Sequence, residues 1–205
     1  MSAQPQPRLT PEQYLAAERA AEFRSEYYNG HMCAKPGGSY QHAQIIAGLA
    51  GELSNALRNR PCSAIPIGLR LRVSPAGLYT YPDLIVVCGD PKFAHDEHDQ
   101  KDTLVNPTLI AEVLSPSTEA YDRGFKSAQY RTLASLQEYA LVSQAEPRIE
   151  VFHRQAGGHW LLSEAIGLEA VCRFESLDCG IPLADVYDKV IFGAAGIGPP
   201  SPLAS

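Results

Sequence analysis

Two apolar stretches each carry one acid where an acid is costly. In Pro82-Asp83-Leu84-Ile85-Val86-Val87-Cys88, and again in Leu109-Ile110-Ala111-Glu112-Val113-Leu114, aliphatic side chains surround a single carboxylate. An unpaired carboxylate among buried aliphatic groups costs several kcal/mol even after relaxation, so each acid needs a cation, a metal ion or a set of hydrogen bonds. The second stretch runs through Ser115-Pro116-Ser117-Thr118 into a helical pattern in which Lys126 and Tyr130 stand four residues apart. That spacing places both on one helix face, directed back at the strand ends. Two acids sharing a cation, with a lysine at hand, suit metal-assisted hydrolysis of a phosphodiester. A divalent ion such as Mg²⁺ (or Mn²⁺) activates water, neutralises charge building on the phosphate and stabilises the leaving oxygen. Mg²⁺ prefers oxygen ligands and keeps several waters, so two or three carboxylates plus a substrate phosphate suffice. Lys126 would orient or deprotonate the attacking water, or hold the scissile phosphate as a fixed charge. The structural alternatives are an acid hydrogen-bonded at a strand end, an acid paired with arginine, and an exposed lysine paired with Asp122 at i, i+4.

Positioning these groups requires strands and helices that the chain announces locally. Thr10-Pro11-Glu12-Gln13 reads as a helix start, with Thr10 as N-cap, Pro11 at the first helical position and Gln13 closing a capping box; the helix runs to about Ala21. Asn29-Gly30 between β-forming residues predicts a hairpin over Ser25 to Cys33. Pro36-Gly37-Gly38 breaks the chain, and Ile45, Ile46, Leu49, Leu53, Ala56 and Leu57 then recur at helical spacing from Ser39, a cap, to about Asn59. Two short strands follow, of which Ile67 to Val73 alternates apolar and basic residues as a half-solvated strand does. Gly89 to Asn106 reads as a polar loop with one helical turn, and a helix spans roughly Tyr121 to Leu133. Tyr139-Ala140-Leu141-Val142 is a buried strand, and Arg148 to Arg154, Trp160 to Ala165 and Glu169 to Phe174 form a late antiparallel β meander. The expected class is α/β (α+β), a mixed central sheet flanked by helices.

Bulk properties narrow the function classes. The 205 residues suit a single domain, over 9–190, with residues 1–8 and 193–205 as flexible termini. Neither a membrane span nor a secretory leader is expected, because no apolar run is long enough and the first eight residues lack an apolar core. Five scattered cysteines read as reduced core thiols, which implies a cytoplasmic setting. A net charge of −6 argues against broad charge-driven association with nucleic acid. Basic residues do group locally: Arg58 with Arg60, Arg70 with Arg72, and Arg123 with Lys126 and Arg131. His42, at the third helical position after Ser39, contacts a phosphate or completes a cap. Arg123 and Tyr130 are further candidate substrate contacts, Tyr130 otherwise a packing residue with a bonded hydroxyl. His95-Asp96-Glu97-His98-Asp99 lacks metal-ligand spacing and reads as a solvated run. Ser115 and Ser117 lack a nucleophile elbow, and no glycine loop cradles a triphosphate.

Tyr81-Pro82-Asp83, the 29-residue step to Glu112, the run Glu112-Val113-Leu114-Ser115-Pro116-Ser117-Thr118, and Asp122-Arg123-Gly124-Phe125-Lys126 with Tyr130 together resemble a known bacterial family. It is the Uma-two family of candidate restriction endonucleases, within the PD-(D/E)xK nuclease superfamily. Pro11 to Leu15, Glu26 to Gly30 and Ser39 to His42 resemble it too, so the likeness covers about residues 9 to 190. It implies a restriction-endonuclease-like fold, DNA as substrate, and a metal held by Asp83 and Glu112 at the open end of the sheet, with Glu26 as an additional acidic ligand. The superfamily places a lysine two residues after the second acid, where Leu114 stands, and Lys126 from the next helix is the substitute at hand. Restriction-type enzymes often cut as dimers, which implies a homodimer by analogy. Leu114 in the lysine position equally fits a catalytically inactive nuclease-fold module that binds nucleic acid or a protein partner.

Overall fold

Capping and turn chemistry produce the first elements. In the computed structural model, which describes residues 8–35, 37–73, 77–95 and 100–192, helix α1 (Pro11–Ala20) starts on the expected capping box: Thr10 accepts from the Gln13 amide while the Gln13 side chain accepts from Thr10. Strands β1 (Ser25–Tyr28) and β2 (His31–Ala34) form the hairpin. Its two-residue turn has φ of 48° at Asn29 and 89° at Gly30, the left-handed pair that Asn-Gly supplies at low cost. Helix α2 (Tyr40–Ala56) is capped by the Ser39 hydroxyl, which accepts from the His42 amide.

Strands β3 (Cys62–Pro66), β4 (Arg70–Val73), β5 (Leu78–Thr80), β6 (Leu84–Cys88), β7 (Thr103–Leu104) and β8 (Leu109–Val113) follow. A helical segment comes next: α3 (Glu119–Tyr121), a π-helical turn over Asp122–Lys126, and α4 (Ser127–Tyr130). The chain ends in β9 (Glu138–Val142), β10 (Arg148–Arg154), β11 (Trp160–Ile166), β12 (Val171–Phe174), a 3-10 turn (Glu175–Leu177), β13 (Cys179–Pro182) and α5 (Leu183–Val186).

A six-stranded mixed sheet in the order β11-β10-β9-β8-β6-β3 is the spine of the fold. Its one parallel pair is β8 with β9, joined by the Glu119–Tyr130 helical segment. Parallel neighbours require such a crossover, which here lies over one face of the sheet. Strand alternation sorts the core into two layers. Leu84, Val86, Leu109, Ala111 and Val113 pack with α2 on one face. Ile85, Val87, Ile110 and Leu141 pack with Tyr130, Leu133 and Leu136 on the other, together with Leu71, Val73 and Leu78 of a five-stranded sheet ordered β2-β1-β5-β4-β7. The expected mixed sheet flanked by helices is thus present.

Several expectations are corrected. The third strand of the meander leaves it: β9, β10 and β11 run antiparallel, but β12 pairs with β13 in a separate ribbon. Cys172 and Phe174 are buried in the α2 layer, and Ser176 bonds to Glu138, so this ribbon covers a sheet face instead of extending the sheet. The strand expected from Ile67 begins only at Arg70, since Ile67 (φ 28°) and Gly68 (φ 122°) form a left-handed turn. Arg70 is buried there instead of solvated, bonded to Asp102, Thr103 and Tyr81. The polar stretch before β8 contains β7 and no helical turn among the described residues. The helix read as Tyr121 to Leu133 runs from Glu119 to Tyr130. Cys62 and Cys88, read as reduced thiols, are disulfide-bonded across the β3/β6 pair with Cα atoms 4.0 Å apart; Cys33, Cys172 and Cys179 are free. The expected flexible tail 193–205 and residues 1–7 lie outside the described residues, as do residues 96–99 of the His95–Asp99 run. Among the described residues no helix is long and apolar enough to cross a membrane.

Asp102 ties α1 to β4 and β7 through Arg19 (2.9 Å) and Arg70 (2.6 Å). Burial pushes its carboxyl up, but hydrogen bonds from Arg19 and Thr103 and the Arg70 charge outweigh this and hold it at about 2. Asp102→Asn leaves the buried Arg70 guanidinium without its counter-charge. Because solvent reaches Asp102, the expected cost is about 2 kcal/mol at neutral pH, between that of an exposed pair and that of a fully buried one. A carboxyl with a depressed value stabilises above its ordinary 3.8 and loses that contribution as pH falls toward 2. Urea denaturation should therefore show the wild-type advantage at pH 7 and its disappearance toward pH 2.

Candidate active site

Register brings the two acids together. Strands β6 and β8 are antiparallel with Leu84 opposite Ala111, which sets Asp83, just before β6, opposite Glu112. The two-residue period of a strand puts Asp83 with Ile85 and Glu112 with Ile110 on the same sheet face. Each acid then bonds to the other's strand: the Asp83 amide donates to Glu112 Oε2 (3.3 Å) and the Val113 amide donates to Asp83 Oδ2 (2.9 Å). Both side chains are buried, Asp83 at 6% and Glu112 at 2% exposure.

The crossover helix supplies the cation. Lys126 Nζ lies 3.1 Å from Glu112 Oε1, 3.0 Å from Asp122 Oδ1 and 3.4 Å from Glu26 Oε1. It closes the π-helical turn, a local widening that often marks functional sites. The turn is anchored from the sheet, where the Tyr139 hydroxyl donates to the Asp122 carbonyl (3.0 Å). One turn on, the Tyr130 hydroxyl donates to Glu112 Oε1 (2.7 Å). Glu26, on β1, also accepts from the hydroxyls of Thr80 and Tyr121. On the opposite flank, His42 Nε2 is 3.1 Å from Asp83 Oδ2 and Lys35 Nζ is 3.3 Å from Asp83 Oδ1. Lys35 also donates to the Tyr81 carbonyl, which fixes its ammonium over the strand entry.

These environments drive the two carboxyls apart. Burial raises Asp83, but the His42 hydrogen bond and the Lys35 charge prevail and hold it at about 2. Burial dominates for Glu112, whose carboxyl rises to about 7 although Lys126 opposes the shift. Burial disfavours the Lys126 charge, yet Glu112, Glu26 and Asp122 outweigh it and keep the ammonium protonated well beyond its usual range.

Of the sequence candidates, Asp83, Glu112, Lys126, Glu26, Tyr130 and His42 are all linked in this one cluster. Tyr130 is completely buried and offers no surface to a substrate, so its role is to hold Glu112. Arg123 stands apart, paired with Glu119 (2.7 Å) and Glu150. Lys35, Thr80 and Tyr121 were not singled out: Lys35 follows a hairpin strand without any local mark, and only folding sets it on Asp83. Asp122 is the i, i+4 partner foreseen for Lys126, but in a buried network instead of on a solvated surface.

Among the described residues no three His, Cys, Asp or Glu side chains are arranged as a ready metal cage. Asp83 and Glu112 nevertheless fit a hard divalent cation in donor chemistry, being two buried carboxylates directly opposite each other. Glu26 sits across Lys126 from Glu112 and serves the ammonium.

The sequence matches the Uma2 family, described as "Putative restriction endonuclease", over residues 11–181. It is 36% identical over 182 residues to the uncharacterised protein slr1290 of Synechocystis sp., covering 88% of this chain and 90% of that protein. A second Synechocystis sp. protein, sll1609, is 33% identical over 166 residues, covering 81% and 92%. The crystal structure of "a putative nuclease belonging to DUF820" from Anabaena variabilis aligns with a TM-score of 0.69 at 19% identity, covering 89% of this chain and 99% of that one. At that identity the likeness shows a shared fold.

Lys126→Met removes the ammonium that lies within 3.4 Å of three buried or partly buried acids. The expected loss is about 3 kcal/mol or more at neutral pH, the cost of uncompensated buried charge. A carboxyl raised above its ordinary value, as Glu112 is, destabilises the fold at high pH and stops doing so as it takes up its proton. Without Lys126 the Glu112 carboxyl rises further above its wild-type value of about 7, so the deficit of the variant should shrink as pH falls toward 7 and level off below it. Chemical denaturation of both proteins from pH 8 to pH 5 measures it, and a pH-independent deficit would contradict the assignment.

Proposed function

Because the chain belongs to the Uma2 family, described as "Putative restriction endonuclease", we propose that it is a metal-dependent endonuclease hydrolysing DNA phosphodiester bonds. The observation that carries this reading is the pairing of Asp83 and Glu112 across β6 and β8 with Lys126 bonded to Glu112. Asp83 and Glu112 would hold a Mg²⁺ or Mn²⁺ ion, which supplies an activated water and neutralises charge on the phosphate.

The side chains around this pair have separable tasks. His42 and Lys35 keep Asp83 ionised and oriented. Tyr130 fixes the rotamer of Glu112 from below. Lys126 is held protonated by its carboxylate neighbours, so it acts as a fixed positive charge and hydrogen-bond donor toward the phosphate or the attacking water, not as a base. Its position on the crossover helix answers for Leu114, which is buried in the apolar layer where the superfamily has a lysine. Glu26 retains Lys126 in place. A homodimer, expected by analogy with restriction-type enzymes, would set two such sites on one DNA molecule. DNA as substrate is also what argues for a cytoplasmic setting, since the reduced-thiol argument falls with the Cys62–Cys88 disulfide.

Asp83→Asn and Glu112→Gln should each lower cleavage of plasmid DNA in Mg²⁺ or Mn²⁺ by more than about 100-fold, while Tyr130→Phe, one shell further out, should lose roughly 10- to 100-fold. Either acid variant cutting at the wild-type rate would remove the assignment. Metal binding by calorimetry without cleavage of any DNA form would favour the inactive nucleic-acid-binding module.

A further inference from the structure

A cavity of about 270 Å³ opens beside the acid cluster, between the β1/β2 hairpin and the start of the crossover helix. Tyr28, Leu78, Tyr121 and Phe125 line it, with Glu26 and His31. Tyr121 stacks on Phe125 with centroids 5.3 Å apart and planes 13° apart, and Tyr28 meets Phe125 edge-on at 4.8 Å. Two of these residues stay partly open to solvent, Tyr28 at 37% and Tyr121 at 38% exposure. Large aromatic faces left uncovered around a concave site are ready-made stacking surfaces.

The cavity adjoins the acid cluster through Glu26, which lines its wall. Glu26 accepts from the Tyr121 hydroxyl (3.2 Å) and lies 3.4 Å from Lys126 Nζ, which is 5.4 Å from the Tyr121 ring centroid and 3.1 Å from Glu112. A phosphate held near Lys126 and Glu112 would therefore carry its neighbouring base to the aromatic wall. Overall charge points the same way. At a net −6 the chain has little capacity for affinity by phosphate neutralisation alone, and stacking supplies affinity that needs no positive charge.

We propose that the Tyr28, Tyr121 and Phe125 cavity stacks a nucleobase next to the scissile phosphate, so that the substrate is single-stranded or locally unpaired DNA. The inference rests on the nuclease reading of the neighbouring acids. A paired base is stacked on its neighbours and cannot reach this wall without unstacking, so unpaired strands are favoured. Every base has a π-face, so the contact is tolerant of sequence.

The test measures binding of short fluorescent oligonucleotides to the Glu112→Gln variant, with wild-type cleavage recorded alongside. The parent variant should bind a single strand more tightly than the matching duplex. Adding Tyr28→Leu should weaken single-strand binding roughly 5- to 150-fold, while Tyr28→Phe should preserve it. A strand with abasic positions should bind both variants equally weakly. Unchanged affinity on Tyr28→Leu, an equal loss on the abasic strand, or a preference for duplex overturns the inference. If Tyr28→Leu does not fold, a 2-aminopurine strand bound to the parent decides: quenching supports stacking and undiminished emission refutes it. Ring-dependent binding with no metal-dependent cleavage by the wild type would sink the nuclease reading and leave the base site standing. Cleavage with ring-independent binding would do the reverse.

Discussion

One ammonium group holds this fold's most expensive arrangement together. Lys126 Nζ stands within 3.4 Å of carboxylates from β1, from β8 and from its own helix. Carboxylates crowded into a low-dielectric space repel one another and lose hydration, and only a charge of opposite sign at hydrogen-bond distance offsets both costs. Because the acids come from separate elements, the same group ties the five-stranded sheet, the six-stranded sheet and the crossover helix into one unit. The site is therefore a structural joint as well as a chemical one.

Asp83 and Glu112 face each other across neighbouring strands, yet their environments differ in kind. Asp83 has an imidazole, an ammonium and a backbone amide on its oxygens, which together stabilise its charge against burial. Glu112 lies deeper, and burial outweighs the lysine beside it. Two like groups pushed in opposite directions are the usual mark of assigned roles in a carboxylate pair. Here they make one acid a permanent anion and leave the other sensitive to whatever cation shares the site.

Much of the local architecture was legible because short-range rules produce it. Thr10 with Gln13, Asn29-Gly30 and Ser39 each act within a few residues, and each formed the cap or turn its chemistry implies. Asp83 and Glu112 stood out because an acid in an aliphatic strand contradicts its surroundings. Arg70 carried a comparable conflict but sat in an alternating pattern that also suits an exposed strand. Its burial depends on Asp102, 32 residues away on the other side of a loop. The Cys62–Cys88 bond was invisible for a similar reason, since its two halves meet only through the β3/β6 register. Likewise β12 has the pattern of a third meander strand, and what diverts it is packing against α2, which no local spacing encodes.

What the chain settles alone is therefore the set of elements and the presence of two acids that need a cation, because caps, turns and burial patterns are governed by near neighbours. Lys126 was marked as a candidate cation by its place on the following helix, but which acid each cation reaches is decided only in three dimensions. Lys126 reaches Glu112 because a parallel β8/β9 pair forces a crossover over that face. Lys35 and His42 reach Asp83 because a hairpin end and a helix start converge on one strand entry. Electrostatic energy depends on distance in space, and sequence separation carries almost none of that distance.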